Sequence, residues 1–198
     1  MSYKILTLDE LVDEYVENNR NYMDKHFKLN YLSDKVKQFQ IFNNLKITFW
    51  EYEIVISGDS IDPNVPNGLI SNRCYDLSWF LNQYKSPHYL CSKFLSKSYD
   101  PYNMYLFLEQ YLKSNESDDI DDGIKEDIRD VMNDYVNYNE GSLMSSEQIY
   151  DFLVPYLGYD TVVENMDTYN HLAYSRLVGI NQLFSEEYEL WCNTNIKD

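Results

Sequence analysis

The sequence predicts an α+β fold that is predominantly α-helical, with a small antiparallel β-hairpin or sheet near residues 45–57. Two patterns favour it: apolar residues recur at helical spacing along most of the chain, and one short stretch is rich in β-branched and aromatic residues. Aromatic residues make up 16% of the 198 residues, which is far too much for a disordered chain. We expect a single domain over residues 1–198. The charge pattern admits a subdivision into a near-neutral part, 1–72, and an acidic helical part, 73–198.

The N-terminal region is predicted to hold two helices. Thr7 and Glu10 form a capping box, and the apolar positions that follow favour a first helix that reaches about Tyr22. Ser33 is interpreted as the N-cap of a second helix, whose short apolar face consists of Val36, Phe39 and Phe42.

Residues 45–57 give the clearest strand signal in the chain. Trp50 and Tyr52 are expected on one face with Ile54 and Ile56, while the intervening glutamates are expected on the other face. The stretch ends at Ser57-Gly58-Asp59, where a loop begins. The sequence also admits a short strand at residues 69–71.

From Tyr75 onward the apolar spacing is helical. Pro87 and Pro101 are expected to start helices, and Gly158 to close one. The stretch from Asp160 to Phe184 predicts two helices with a break near Ala173 or Gly179. The clearest apolar stripe consists of Ile124, Ile128, Val131 and Tyr135.

Carboxylates are concentrated in the second half of the chain. Residues 1–100 hold thirteen acids and eleven bases, whereas residues 101–198 hold twenty acids and five bases. The net charge of −17 and the lack of a basic stripe argue against direct binding of DNA or RNA. An asymmetry of this kind indicates a dedicated face or module.

The common catalytic signatures are missing from the sequence. It contains no Gly-rich phosphate loop, no Gly-x-Ser-x-Gly elbow, no His-Glu-x-x-His and no Cys-x-x-Cys. With only three histidines, acid–base chemistry would have to depend on carboxylates or tyrosines. We therefore predict no catalytic residue, no cofactor and no metal site.

Two weaker patterns are candidate sites. His88 and Cys91 are three residues apart, with Cys74 within conceivable reach, which could give a nucleophile pair or a metal site. A buried thiol beside a partly exposed histidine is the favoured interpretation. The run from Asp118 to Gly123 resembles a calcium loop, but Ile120 and Arg129 occupy positions that need oxygen ligands. An acidic linker that leads into a helix is therefore favoured there.

The acidic run gives the candidate partner-binding residues. On a helix that starts near Gly123, carboxylates four residues apart lie about 6 Å apart along the axis, opposite the apolar stripe. That distance is of the order of the separation between successive phosphates on a nucleic-acid strand. The predicted contact residues are Asp119, Asp121, Asp122, Glu126, Asp130 and Asp134. A solvated face that serves only solubility is the competing explanation.

The function expected from these features is a non-enzymatic acidic interaction protein. The partner would be a basic protein such as a nuclease, and the acidic helix would act as a nucleic-acid mimic. Abundant Asn, Tyr, Ile and Lys with one Ala indicate an AT-rich genome. These points favour a phage-encoded counter-defence inhibitor of the anti-CRISPR or anti-restriction type. The alternatives are an immunity protein that neutralises a toxin, and an enzyme with carboxylate or tyrosine chemistry.

The expected location is the cytoplasm, in the host cell if the protein comes from a phage. Three cysteines do not form a disulfide framework, and the N-terminus does not resemble a signal peptide. No stretch approaches the ~18 apolar residues of a membrane span. If the acidic helix is only a solvated face, the interface is expected around Trp50, Tyr52 and the loop from Gly58 to Asn72.

Overall fold

The computed structural model describes residues 6–42, 44–58, 70–73, 75–114, 121–137 and 146–195. The chain forms two compact units. The sheet unit consists of residues 8–96 and 172–198, and the acidic unit of residues 1–7 and 97–171. The acidic unit holds seventeen acids and five bases, against sixteen and eleven in the sheet unit. Both units are discontinuous in sequence, unlike the contiguous subdivision at residue 72.

The predicted fold class is confirmed, because the described residues are mainly helical and include a small antiparallel sheet. No described helix is long and apolar enough to cross a membrane. In chain order the helices are α1 (Leu8–His26), α2 (Leu77–Phe80), α3 (Pro87–Phe94), α4 (Pro101–Lys113), α5 (Asp122–Asn137), α6 (Ser146–Leu157), α7 (Tyr159–Met166) and α8 (His171–Asn195). The strands are β1 (Lys28–Leu32), β2 (Val36–Gln40), β3 (Lys46–Trp50), β4 (Glu53–Ser57), β5 (Ile70–Arg73), β6 (Ser98–Tyr99) and β7 (Asp167–Thr168).

The sheet unit is built on an antiparallel meander in which β1 to β5 are neighbours in the order of the sequence. Residues 45–57, which were predicted to be β structure, contain the hairpin β3–β4. Strand β5 corresponds to the short strand that the sequence allowed at residues 69–71. The prediction that Trp50 and Tyr52 share one face with Ile54 and Ile56 is wrong, because only the two isoleucines are buried. Trp50 is the last residue of β3 and is 44% exposed, and Tyr52 lies in the hairpin turn and is 72% exposed.

The helix predicted after Ser33 is wrong, because these residues form the turn and second strand of the β1–β2 hairpin. Ser33 Oγ accepts a hydrogen bond from the Val36 N–H at 3.0 Å. A serine that binds a nearby backbone N–H is typical of both a helix N-cap and a turn, so the local signal does not separate them. Pairing with the neighbouring strand β3 favours the strand over the helix here, because Phe39 lies opposite Ile47 and both side chains are buried.

The core of the sheet unit contains a cluster of phenylalanine rings. The Phe184 ring on α8 lies 5.3 Å from Phe39, 5.6 Å from Phe49 and 5.8 Å from Phe80, centroid to centroid. Such tilted and edge-to-face contacts add to the free energy gained from burying the rings. Residues from β2, β3, α2 and α8 thus share one cluster.

The segment after α2 is shaped by two polar side chains of α8. Asn181 Oδ1 accepts the Tyr84 N–H at 2.7 Å, and Ser185 Oγ accepts the Asn82 N–H at 3.0 Å. Asn82 has a left-handed backbone with φ of 66°. The helical spacing read from Tyr75 onward therefore breaks after Phe80, and a 3₁₀ turn (Gln83–Lys85) follows.

The break predicted near Ala173 or Gly179 is wrong, because both residues lie inside the continuous helix α8. The helical structure is interrupted instead at residues 167–170, between α7 and α8. Gly179 is needed for close packing: a Cβ at this position would lie 2.5 Å from Cδ1 of Tyr15 on α1. Gly179, which was predicted to break a helix, is instead the point where α1 approaches α8.

The acidic unit has an aliphatic centre. Its fully buried apolar side chains come from α4 to α7 and are Met104, Leu108, Ile128, Leu153 and Val162. As predicted, Pro101 begins a helix, and Gly158, with φ of 82°, follows the end of α6. Strands β6 and β7 pair in antiparallel fashion next to the points where the chain enters and leaves this unit.

Candidate functional site

Helix α5 carries most of the predicted contact residues. Glu126 and Asp130, one helical turn apart, are exposed, as are Asp121 and Asp122 at the start of the helix. The backbone of Asp134 belongs to the same helix, but its side chain is outside the described part, and Asp119 lies outside the described residues altogether. The structure therefore brings Asp122, Glu126 and Asp130 into one row.

The opposite face of α5 anchors the helix in the acidic unit. Ile128 is completely buried against the aliphatic centre, and Ile124 packs at its edge. The side chains of Val131 and Tyr135 lie outside the described part of the chain. The amphipathic pattern predicted for this helix is thus seen for the first two positions of the stripe, and it leaves the row directed to solvent.

The start of α5 uses two of the six predicted residues for local structure. Asp121 Oδ1 accepts the backbone N–H of Gly123 at 2.8 Å, which satisfies a free donor of the first turn. Asp122, whose side chain is 97% exposed, lies 3.5 Å from the ammonium of Lys125. Glu126 and Asp130 are the row members for which the described structure offers no such local role.

The local charge on α5 is strongly negative. Residues 121–130 contain five carboxylates against Lys125 and Arg129. Like charges on neighbouring turns repel one another and raise the negative potential outside the helix. Chemically, this face can attract and bind cations such as lysine and arginine side chains.

In the weaker pair, His88 and Cys91, the environment of the thiol disfavours a nucleophile. Cys91 is fully buried, and burial raises the pKa of its thiol above the usual range, so the reactive thiolate is disfavoured. His88 is exposed, with its ring 5.5 Å from the Tyr174 ring. Cys74 lies outside the described residues. The interpretation as a buried thiol is confirmed for Cys91.

A metal site is not found in the described part of the chain either. No group of three or more His, Cys, Asp or Glu side chains there is arranged to hold a metal ion. Part of the run from Asp118 to Gly123 falls outside the described residues, and Asp121 within it is the cap of α5.

Sequence reasoning missed a buried carboxylate at Asp100. It is 2% exposed and receives hydrogen bonds from the Tyr102 N–H at 3.2 Å, the Asn103 amide at 3.1 Å and the His171 N–H. The His171 ring, stacked on Tyr102, places Nδ1 3.0 Å from Asp100 Oδ2. One carboxylate therefore caps α4 and holds the first residue of α8. An Asp directly before Pro101 is the one signal in the sequence, and it could indicate only a cap for α4, not the contact with His171.

A second missed cluster lies where α1 and α8 meet. Arg20 forms an ion pair with Glu186, and the neighbouring carboxyls of Asp24 and Glu187 share a hydrogen bond. Burial, followed by that hydrogen bond and the charge of Asp24, raises the pKa of Glu187 to about 7. No sequence pattern indicates this pairing, because the residues are more than 160 positions apart.

Comparison with known proteins adds no family. No family model, no curated protein and no solved structure matches the chain. Its function must therefore be inferred from its own residues.

Proposed function

We propose that the protein is a non-enzymatic interaction protein that inhibits a basic, nucleic-acid-handling partner. The exposed face of α5, with Glu126 and Asp130 at its centre, contacts the surface on which that partner binds nucleic acid. The observation that carries the proposal is a row of exposed carboxylates on a helix that is anchored on its opposite face by the buried Ile128. In this proposal the protein acts as a phage-encoded inhibitor of a host defence nuclease.

The distribution of charge supports this choice of surface. The acidic unit has a net charge of −12, whereas the larger sheet unit has −5. A concentrated field of one sign accelerates encounter with a partner of the opposite sign. Solubility alone requires no such concentration, since both signs can be interspersed over a surface.

The spacing on α5 supports a phosphate-binding groove as the target. Successive members of the row are separated by one turn, about 6 Å of helix axis. Lysines and arginines that hold successive phosphates of a strand could therefore be met by successive carboxylates. The helix is preorganised by the burial of Ile128, so binding need not order it.

The direct test uses a panel of purified restriction and RNA-guided nucleases. We expect the protein to block DNA binding by at least one of them, and to bind neither DNA nor RNA itself at ~150 mM salt. The association rate with that nuclease should fall about tenfold between ~50 and ~300 mM salt, because a screened field steers less.

The variant Glu126→Lys with Asp130→Lys should slow association at least tenfold and flatten its salt dependence. Asp13→Lys with Glu17→Lys is the matched control, since these exposed acids have the same spacing on α1 of the sheet unit. If both double variants behave alike, net charge is responsible and the α5 contact is wrong. Micromolar binding of the wild-type protein to nucleic acid would also contradict the proposal.

A further inference from the structure

The sheet unit contains a cleft of about 320 Å³, and all the residues that line it belong to that unit. Its floor consists of Phe49 and Leu77, which are buried, and Leu81 and Tyr188, which are half-buried. Exposed or partly exposed polar residues and Trp50 complete the lining. This volume is at the lower end of ligand pockets, roughly 300–1,000 Å³, and suits one large apolar side chain.

Two hairpin turns border the cleft. The pairing of Leu32 with Lys37 and of Val36 with Trp50 places the β1–β2 and β3–β4 turns at the same end of the sheet. The Lys35 ammonium lies 3.1 Å from a Glu51 carboxylate oxygen and joins the turns. The two turns that border the cleft are therefore fixed in position by the strand pairing of the sheet.

Large apolar side chains are exposed around this end of the sheet. Trp50 lines the cleft and is 44% exposed, and Tyr52, Leu32 and Tyr31 are 72%, 59% and 56% exposed. Trp and Tyr dominate the energetic centres of protein–protein interfaces, and a patch rimmed by polar residues is typical of a docking surface. These rings favour a protein partner over a small metabolite.

The charges that line the cleft favour a cationic partner segment. Lys35 forms an ion pair with Glu51. The other charged residues of the lining are Asp34, Asp76 and Lys37, so carboxylates outnumber ammonium groups by two to one. Hydrogen bonds from the Trp79 N–H and the Ser78 hydroxyl hold the pKa of Asp76 below its usual value, so it remains ionised.

We propose that this cleft binds a segment of a partner protein that inserts one aromatic or long aliphatic side chain, flanked by lysine or arginine. The apolar side chain contacts Phe49, Leu77 and Trp50, and the flanking cation lies near Asp34 and Asp76. This site is independent of the α5 contact, because its residues all belong to the sheet unit.

The test uses ¹⁵N-labelled protein and three tripeptides: acetyl-Lys-Trp-Lys-amide, acetyl-Glu-Trp-Glu-amide and acetyl-Lys-Ala-Lys-amide. The first should shift the indole N–H resonance of Trp50 with a dissociation constant of about 1 mM. Trp79 and Trp191, which do not line the cleft, should shift less. The acidic peptide should bind about tenfold more weakly, and the alanine peptide should cause no saturable shift.

Asp34→Lys should weaken the basic peptide about tenfold and strengthen the acidic one, whereas Asp13→Lys, exposed on α1, should change neither. Trp50→Ala should abolish binding, followed through the amide resonances of the sheet. Those resonances also report whether each variant remains folded. The absence of a Trp50 shift, equal affinity for all three peptides, or equal effects of the two lysine variants would overturn the proposal. The α5 double variant should bind the basic peptide normally, so the two proposals fail separately.

Discussion

The two units of this chain solve the same folding problem with different side chains. The sheet unit has a cluster of phenylalanine rings among many buried aliphatic side chains, and its net charge is −5. The acidic unit buries five non-aromatic side chains and has a charge of −12. Its core must hold against stronger repulsion between carboxylates, so its stability should depend more on salt and on single polar contacts. Substitutions in each unit can test this difference.

The largest expected effect is the loss of Phe184, which contacts five other aromatic rings. Phe184→Ala should destabilise the sheet unit by about 4 kcal/mol, since a large cavity is left in a packed core. All three tryptophans, at positions 50, 79 and 191, belong to this unit. Their fluorescence in guanidinium titrations therefore reports its unfolding.

Ile128→Ala is the corresponding change in the acidic unit and should cost about 3 kcal/mol. We expect it to shift the circular dichroism transition more than the tryptophan fluorescence transition. If both probes shift equally for both variants, the units unfold as one, and the comparison between them loses its thermodynamic meaning.

The next effect concerns Asp100, the buried carboxylate of the acidic unit. Asp100→Asn should cost about 2–3 kcal/mol, because an amide cannot accept hydrogen bonds from all the N–H groups that converge on this carboxylate. Urea titration followed by circular dichroism measures the cost. Asp130→Asn, at an exposed position of the same unit, should change stability by less than about 0.5 kcal/mol. An equal effect of the two would show that Asp100 is not a structural centre.

Sequence patterns predicted the elements whose signals are local. Pro101 and the apolar spacing on α5 gave correct helices, because capping and amphipathic spacing act within a few residues. The errors at Ser33 and Gly179 have a different origin. The structure at each of these positions depends on a partner that is distant in sequence. Strand β3 pairs with the strand after Ser33, and Tyr15 packs against Gly179.

The candidate sites divide in the same way. The row on α5 could be read from the sequence, since spacing along one helix determines it. The cleft could not, although Trp50 was singled out, because its lining combines two hairpin turns, α2 and Tyr188 of α8. The capping of α8 by Asp100 is likewise a contact between residues 71 positions apart.

A smaller effect should appear in the pH dependence of the sheet unit. The pKa of Glu187 is about 7 in the folded state, above the ordinary value of 4.5, so folding favours its protonated form. Its contribution to stability is present below about pH 4.5 and is lost as the pH rises through about 7. Because the group is partly exposed, we expect a loss of no more than about 1 kcal/mol.

Glu187→Gln should remove this loss, so that the variant gains stability relative to wild type at pH 8 compared with pH 4. Thermal unfolding followed by tryptophan fluorescence measures both. Glu189→Gln, an exposed neighbour on α8, is the control and should leave the pH dependence unchanged. A pH profile that Glu187→Gln does not alter would show that the pair with Asp24 titrates normally and that the charges of Arg20 and Glu186 dominate this contact.

The smallest expected effect is on the charge of α5 itself. Glu126→Gln with Asp130→Asn removes two repelled carboxylates without touching Ile128, so the acidic unit should gain about 0.5 kcal/mol at ~10 mM salt. The gain should disappear at ~300 mM salt, where the Debye length is shorter than the distance between most of these charges. Circular dichroism melts at the two salt concentrations measure it.

Asp13→Asn with Glu17→Gln makes the same neutralisation on α1 of the sheet unit, where the field is weaker. We expect a smaller gain there and a weaker salt dependence, because fewer carboxylates surround the removed pair. A larger gain on α1 than on α5 would reverse the comparison between the units. It would mean that Lys125 and Arg129 already balance the α5 row, and such a balanced face would attract a basic partner no better than the rest of the surface.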